Sequence, residues 1–145
     1  MQKPFNLAAV IFAIVLLSGC SGSDPEPEVI TESVIIEKVS KSSGISRSQT
    51  QIGLSALMKL SEEKLTPDEF TKLTADFPGG ENLYNFGDAL GFAIGSIKTQ
   101  AEIVQILVNL GVSPVDAGKF LASVLSVSKN MGGDVYSLLS KVYEK

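Results

Sequence analysis

The chain has 145 residues, with 16 acidic and 12 basic side chains, one cysteine, and neither histidine nor tryptophan. A net charge of −4 does not suit nucleic-acid binding, which needs a basic surface to displace counterions. Without histidine and with a single thiol, the chain can build no Ser–His triad, no Cys–His pair, no internal disulfide and no imidazole- or thiolate-based zinc or copper site.

The chain opens with an address. Lys3 supplies a short positive region, and Phe5 to Leu17 are thirteen residues, all apolar except Asn6. That run is too short for the ~20 apolar residues of a spanning helix and fits the ~7–15 of a signal h-region. It ends in Leu17-Ser18-Gly19-Cys20, which resembles a bacterial lipobox: an aliphatic residue, two small residues, then the cysteine. The small side chains let the backbone lie flat in a peptidase cleft. The resemblance implies cleavage between Gly19 and Cys20, removal of residues 1–19 as a lipoprotein signal peptide, and attachment of diacylglycerol and palmitate chains at Cys20. The alternative is an ordinary signal peptide with a stray cysteine. Cleavage removes Lys3 alone among the charged groups, leaving 11 basic and 16 acidic side chains and a net charge of −5. No other apolar run approaches spanning length, so the expectation is a soluble domain held on a membrane by lipid. Several acyl chains anchor far more firmly than one, at ~0.8 kcal/mol per buried methylene. Ser21, where an aspartate would favour inner-membrane retention, points to the outer membrane and a periplasm-facing domain in a two-membrane bacterium.

Ser21 to Glu28 has two prolines, three acids and no apolar side chain, the composition of an extended, solvated tether. Residues 20–33 are thus expected to form the lipidated N-terminus and a flexible tether. The β-branched run from Val29 to Ile36 suits a strand, but Val34, Ile35, Ile36 and Val39 line one side of a short helix, and a helix from about Val34 is the favoured reading. Start signals follow at Ser46–Gln49, Thr66-Pro67-Asp68-Glu69, Thr99–Glu102 and Ser113-Pro114. Each places a hydroxyl cap where it satisfies orphan amides, some with proline at the first helical position. Gly44, Gly111 and Gly132-Gly133 sit where left-handed C-terminal caps fall. These signals predict helices over 34–43, 47–60, 67–76, 83–97, 100–110, 114–130 and 134–143.

Shifted by 67 residues, the chain partly matches itself. Gly44 meets Gly111, Ser46 meets Ser113, Leu54 meets Leu121 and Ser61 meets Ser128; after the loss of one residue Asp68 meets Asp134 and Leu73 meets Leu139. The expected fold is therefore all-α, a compact helical bundle over 34–143. Two pseudo-repeated three-helix halves, about 34–76 and 101–143, are joined by a glycine-rich apolar helix in the connector 77–100. A lone half of about 40 residues is near the lower limit of a self-sufficient core. Leu54, Leu57, Met58, Leu121, Val124 and Leu125 are expected at the interface between halves, with Phe70, Leu73, Tyr136 and Leu139 covering it.

Gly44-Ile45-Ser46, Gly53, Leu65-Thr66-Pro67-Asp68-Glu69-Phe70 and Phe77-Pro78-Gly79, followed by Leu110-Gly111-Val112-Ser113-Pro114, Phe120 and Gly132-Gly133-Asp134, resemble the VcgC/VcgE-like family of small exported bacterial proteins. That family is a domain of unknown function. The resemblance implies an all-helical exported domain and brings no catalytic residues with it. The connector departs from the family pattern by holding Tyr84, Phe86 and Phe92.

Chemistry without histidine remains open to serine, lysine and carboxylates. Ser126 and Lys129 have the spacing of some serine–lysine pairs but read as a polar helix face. Glu62-Glu63 reads as solvated charge at a helix C-terminus, Asp68-Glu69 as part of a cap, and Pro78-Gly79-Gly80 as a turn with no lysine to hold a phosphate. No catalytic, cofactor or metal residue is assigned. Gly87, Gly91 and Gly95 are spaced by four, with Phe92 beside them, and would form a bare ladder on a helix. Three glycines inside a helix cost ~1 kcal/mol each unless a backbone approaches closely. Three readings are open: a contact with helix 114–130 at Ala117, Gly118 and Ala122, a loose connector, or a docking face for a second copy, an envelope protein or lipid. The functional expectation is a non-enzymatic, lipid-anchored interaction or structural module. The alternative is a carrier of an apolar ligand in a cavity lined by Phe86, Phe92, Phe120 and Tyr136.

Overall fold

The structure is a computed structural model that describes residues 28–92 and 97–144. Among the described residues it is all-helical, with seven helices: α1 (Glu32–Ser43), α2 (Arg47–Lys64), α3 (Pro67–Asp76), α4 (Gly80–Ala89), α5 (Gln100–Asn109), α6 (Pro114–Ser128) and α7 (Val135–Glu144). Their ends follow from local chemistry. Ser46, Thr66 and Thr99 each accept from the amide three residues on, while Gln49, Glu69 and Glu102 reach back to the cap amide. These are complete capping boxes. Pro67 and Pro114 begin α3 and α6. Gly44 and Gly111 take φ of 78° and 87°, the left-handed conformation that stops a helix.

Several expected boundaries move, and α2 runs on to Lys64 past its expected end at 60. The tether does not extend to residue 33. Thr31 caps α1, Ile30 packs on the core, and Glu28 pairs with the Lys38 ammonium at 2.7 Å. The helix expected over 83–97 is also replaced. α4 starts at Gly80 and ends at Ala89, because Gly91 turns left-handed at φ 81°.

The element order of short helix, glycine turn, long helix and last helix occurs in α1–α3 and again in α5–α7. The first helix of each half packs on the long helix of the other, α1 on α6 and α5 on α2. Leu54, Leu57, Met58 and Val124 are fully buried in one shared core, while Leu121 and Leu125 are half-buried against it. The long helices meet through Phe120, which is fully buried. A Cβ at Gly53 would fall 2.7 Å from its Cζ. Gly53 and Phe120 are counterparts under the 67-residue offset, so the contact joins matched positions. Leu73 and Leu139 are buried as expected and Phe70 is half-buried, but Tyr136 is 42% exposed and covers little.

α3 and α7 close one side of the bundle on each other and on α2. Lys141 donates to Glu69, and Lys72 pairs with Asp134. The Lys141 ammonium, helped by the Thr66 amide, holds the Glu69 carboxyl down at about 2. α4 lies across α2 and α3.

Candidate functional site

Two helix ends build the site. In α4 the Phe92 amide donates to the Gly87 carbonyl at 3.0 Å and the Gly91 amide to Asp88 at 2.9 Å. In α5 the Val112 amide donates to Leu107 at 3.1 Å and the Gly111 amide to Val108 at 2.9 Å. Both are Schellman motifs: a left-handed glycine reverses the chain and folds the following apolar residue back over the last turn. The residue before the glycine is left at the rim. It is leucine in both cases, Leu90 at 42% and Leu110 at 41% exposed.

Both ends stand beside the N-terminal part of α2, and an open groove of about 270 Å³ lies between them. It is lined by Ile52, Leu90, Phe92, Ile106, Asn109 and Leu110. Gln49 ties the far wall to α2 by donating its side-chain amide to the Leu110 carbonyl at 3.0 Å. A larger surface hollow of about 370 Å³ lies between α1 and α2. Polar side chains dominate its lining, and Arg47 within it is committed to Ser33 at 2.9 Å and Glu37 at 3.4 Å.

The near wall is held on α2 by an ion pair between a buried lysine and a half-exposed aspartate. Lys59 is 2% exposed and its ammonium binds Asp88, itself 52% exposed. The same ammonium lies 3.4 Å from the centre of the Tyr84 ring, and the Tyr84 hydroxyl donates to both carboxylate oxygens of Glu62, at 2.9 and 3.0 Å. Burial works to lower the Lys59 pKa, but the hydrogen bond to Asp88 and the contact with Tyr84 outweigh it and raise the value above that of ordinary lysine. The amine therefore stays charged, which suits a tie between helices and not a nucleophile.

The residues singled out in the sequence separate here. Gly19, Cys20 and Gly95 lie outside the described residues. Gly87 is buried and faces α2, where a Cβ would meet the Ser55 carbonyl oxygen and the Lys59 Cγ at 3.4 Å. Gly91 is a helix stop, and among the described residues nothing beyond its chain neighbours lies within 4 Å of a Cβ position there. Gly87 and Gly91 thus share no ladder. Gly87 faces α2 and not the expected helix 114–130, and among the described residues Gly118 has nothing within 4 Å of a Cβ. Phe92 lines the groove.

The four aromatic residues expected around a cavity go different ways. Phe120 fills the space over Gly53, Tyr136 sits on the surface with the Lys129 ammonium 5.4 Å from its ring, and Phe86 is half-buried. Ser126 and Lys129 are both exposed. Glu62 serves Tyr84, Glu69 caps α3, and Gly79 at φ 76° opens α4.

Sequence reasoning passed over Lys59, Asp88, Ile52, Ile106 and the two leucines. One signal was present: Leu90-Gly91-Phe92 and Leu110-Gly111-Val112 share the leucine–glycine–apolar pattern of a Schellman stop. Another was Asp88 itself, which falls in the last turn of α4, where the helix dipole disfavours an acid. No family model matches the chain, and no curated protein or solved structure proves similar to it.

Proposed function

We propose that the chain is a lipid-anchored envelope lipoprotein whose helical domain is a non-catalytic interaction module, docking a partner through the groove between the ends of α4 and α5. The lipobox resemblance at Leu17-Ser18-Gly19-Cys20 supports the anchor, and Ser21 supports the outer membrane with the domain facing the periplasm. Among the described residues no helix is long and apolar enough to cross a membrane.

The observation that carries the docking reading is the groove itself. Two exposed leucines and half-buried Ile52, Phe92 and Ile106 converge there, while the space between the long helices is filled by Phe120. Singly exposed apolar residues are ordinary, but a contiguous cluster marks a contact surface. The carrier reading has less support, since the groove is open and its volume of about 270 Å³ lies below the ~300–1,000 Å³ of sites that enclose a small ligand.

Two variants of the full chain give separate readouts. Cys20→Ala is expected to abolish acyl labelling, and membrane retention of an unlabelled variant would contradict the anchor. Leu110→Glu, at a half-exposed position, is expected to leave the melting temperature within a few degrees of wild type while removing complexes seen on native gels of detergent-solubilised membranes. Complexes that survive Leu110→Glu unchanged would contradict docking at the groove.

A further inference from the structure

We infer that the C-terminal half of α4 is a latched wall. It opens from α2 as a unit while the rest of the bundle stays folded, and the Lys59–Asp88 pair is the latch.

The two ends of α4 are held differently. At its start, a Cβ at Gly79 would fall 2.5 Å from the Glu32 side chain, and one at Gly80 would fall 2.6 Å from the Thr74 carbonyl oxygen. Asn82 donates to Glu32 at 3.3 Å, and Leu83 is fully buried. This end is locked by tight backbone packing and core burial. The other end joins polar ties to its packing: Asp88 bonds Lys59 and Tyr84 bonds Glu62, while the Tyr84 ring stands edge-on to Phe70 at 5.4 Å, Phe92 packs on the core and the bare Gly87 backbone lies against the Lys59 stem. Asp88, Ala89 and Leu90 are exposed, and among the described residues nothing beyond its chain neighbours lies within 4 Å of a Cβ at Gly91. A carboxylate in the last turn works against the helix dipole, so Asp88 does not serve α4 alone. It serves Lys59, an ammonium that would otherwise be buried without a counter-charge. This end therefore leans on a charge pair as well as on packing, which the Gly79–Leu83 end does not. Losing the pair frees this half of the helix before it frees the core.

The consequence falls on the groove. Leu90 and Phe92 belong to the C-terminal cap of α4, so release of this half moves one wall away from Ile52, Ile106 and Leu110. The latch stands on its own geometry, and its link to docking rests on the function proposed above.

Native-state hydrogen exchange on the full chain tests it. A ten-residue helix does not keep its hydrogen bonds once undocked, so its amides report the opening. In the wild type the Leu90 and Phe92 amides are expected to exchange faster than those of Leu57 and Val124, which wait for global unfolding. Asp88→Asn is expected to speed the first pair by ~10-fold or more, the scale of a charged hydrogen bond, with the second pair nearly unchanged. In a Lys59→Met background, where no ammonium needs a partner, Asp88→Asn is expected to change neither pair. Tyr84→Phe, which removes only the hydroxyl bonded to Glu62, is expected to loosen the same amides by a smaller factor. Equal wild-type rates for the two pairs would overturn the latch. So would an Asp88→Asn variant that unfolds wholesale, or one in which all four amides accelerate together. Failure of docking at the groove would leave these exchange rates untouched, so the two proposals fail separately.

Discussion

Gly53 and Gly87 are both helical glycines, and replacing each with alanine separates propensity from packing. Alanine improves helix propensity by ~1 kcal/mol at an interior position. The space around the new methyl differs. At Gly53 it would sit 2.7 Å from Cζ and 3.1 Å from both Cε atoms of Phe120, a ring that is fully buried and has nowhere to move. At Gly87 the nearest atoms are at 3.4 Å, and two of the three belong to the flexible Lys59 stem. Overpacking a core costs ~1–3 kcal/mol. The propensity gain largely cancels in the comparison, so Gly53→Ala should be less stable than Gly87→Ala by ~1–3 kcal/mol. Urea unfolding followed by circular dichroism reads this directly, as a shift in midpoint at constant slope. A double-mutant cycle adds specificity. Phe120→Leu should cost less in the Gly53→Ala background than alone, because the smaller side chain relieves the clash. Equal stability of the two alanine variants, or strict additivity with Phe120→Leu, would refute the packing of Phe120 on Gly53.

Further outcomes follow from the same geometry. Leu57→Ala should destabilise by ~2–5 kcal/mol and Val124→Ala by less, since both side chains are fully buried in one core. Each variant should still unfold in a single transition by calorimetry, and two separated transitions would show independent halves. Gly91→Ala and Gly91→Leu should cost the same ~1–2 kcal/mol, because the penalty arises from the left-handed backbone and not from crowding. A markedly larger loss for leucine in thermal melts would contradict that. Glu69→Gln should be less stable than wild type at neutral pH. The folded carboxyl titrates at about 2 against an unfolded value near 4.5, so its contribution is complete above 4.5 and vanishes as the pH falls through 2. Stability curves of the two proteins should converge over that window, and a constant gap would contradict the Lys141–Glu69 tie.

The parts of the fold legible in the sequence were those written in short range. A capping box spans four residues, so Ser46–Gln49, Thr66–Glu69 and Thr99–Glu102 could be read directly and fix three helix starts. Gly111 was legible as a stop for the same reason. Gly91 has the same neighbours, leucine before and an apolar residue after, yet its four-residue spacing to Gly87 and Gly95 imitates a helix face, and that long-range pattern masked the local one. The site depends on distance along the chain. Lys59 and Asp88 are 29 residues apart, and nothing in the apolar run around Lys59 tells that its charge is buried. Leu90 and Leu110 become neighbours only after α4 and α5 have both packed on α2. Under the alternative carrier reading Phe120 would border a cavity, because a sequence shows the size of an aromatic ring but not the glycine beneath it.

Docking at the groove can be measured with two matched positions. Leu110 and Tyr136 are almost equally exposed, at 41% and 42%, but Leu110 lies at the groove and Tyr136 does not line it. A photocrosslinking amino acid placed at each in the full chain, in intact cells, samples the two surfaces with the same chemistry and the same access. The account predicts a discrete crosslinked species from position 110 that is absent from position 136 and is lost when Leu90→Glu is added. Identical products from both positions, or none from position 110 in cells where the chain is acylated and folded, would contradict it.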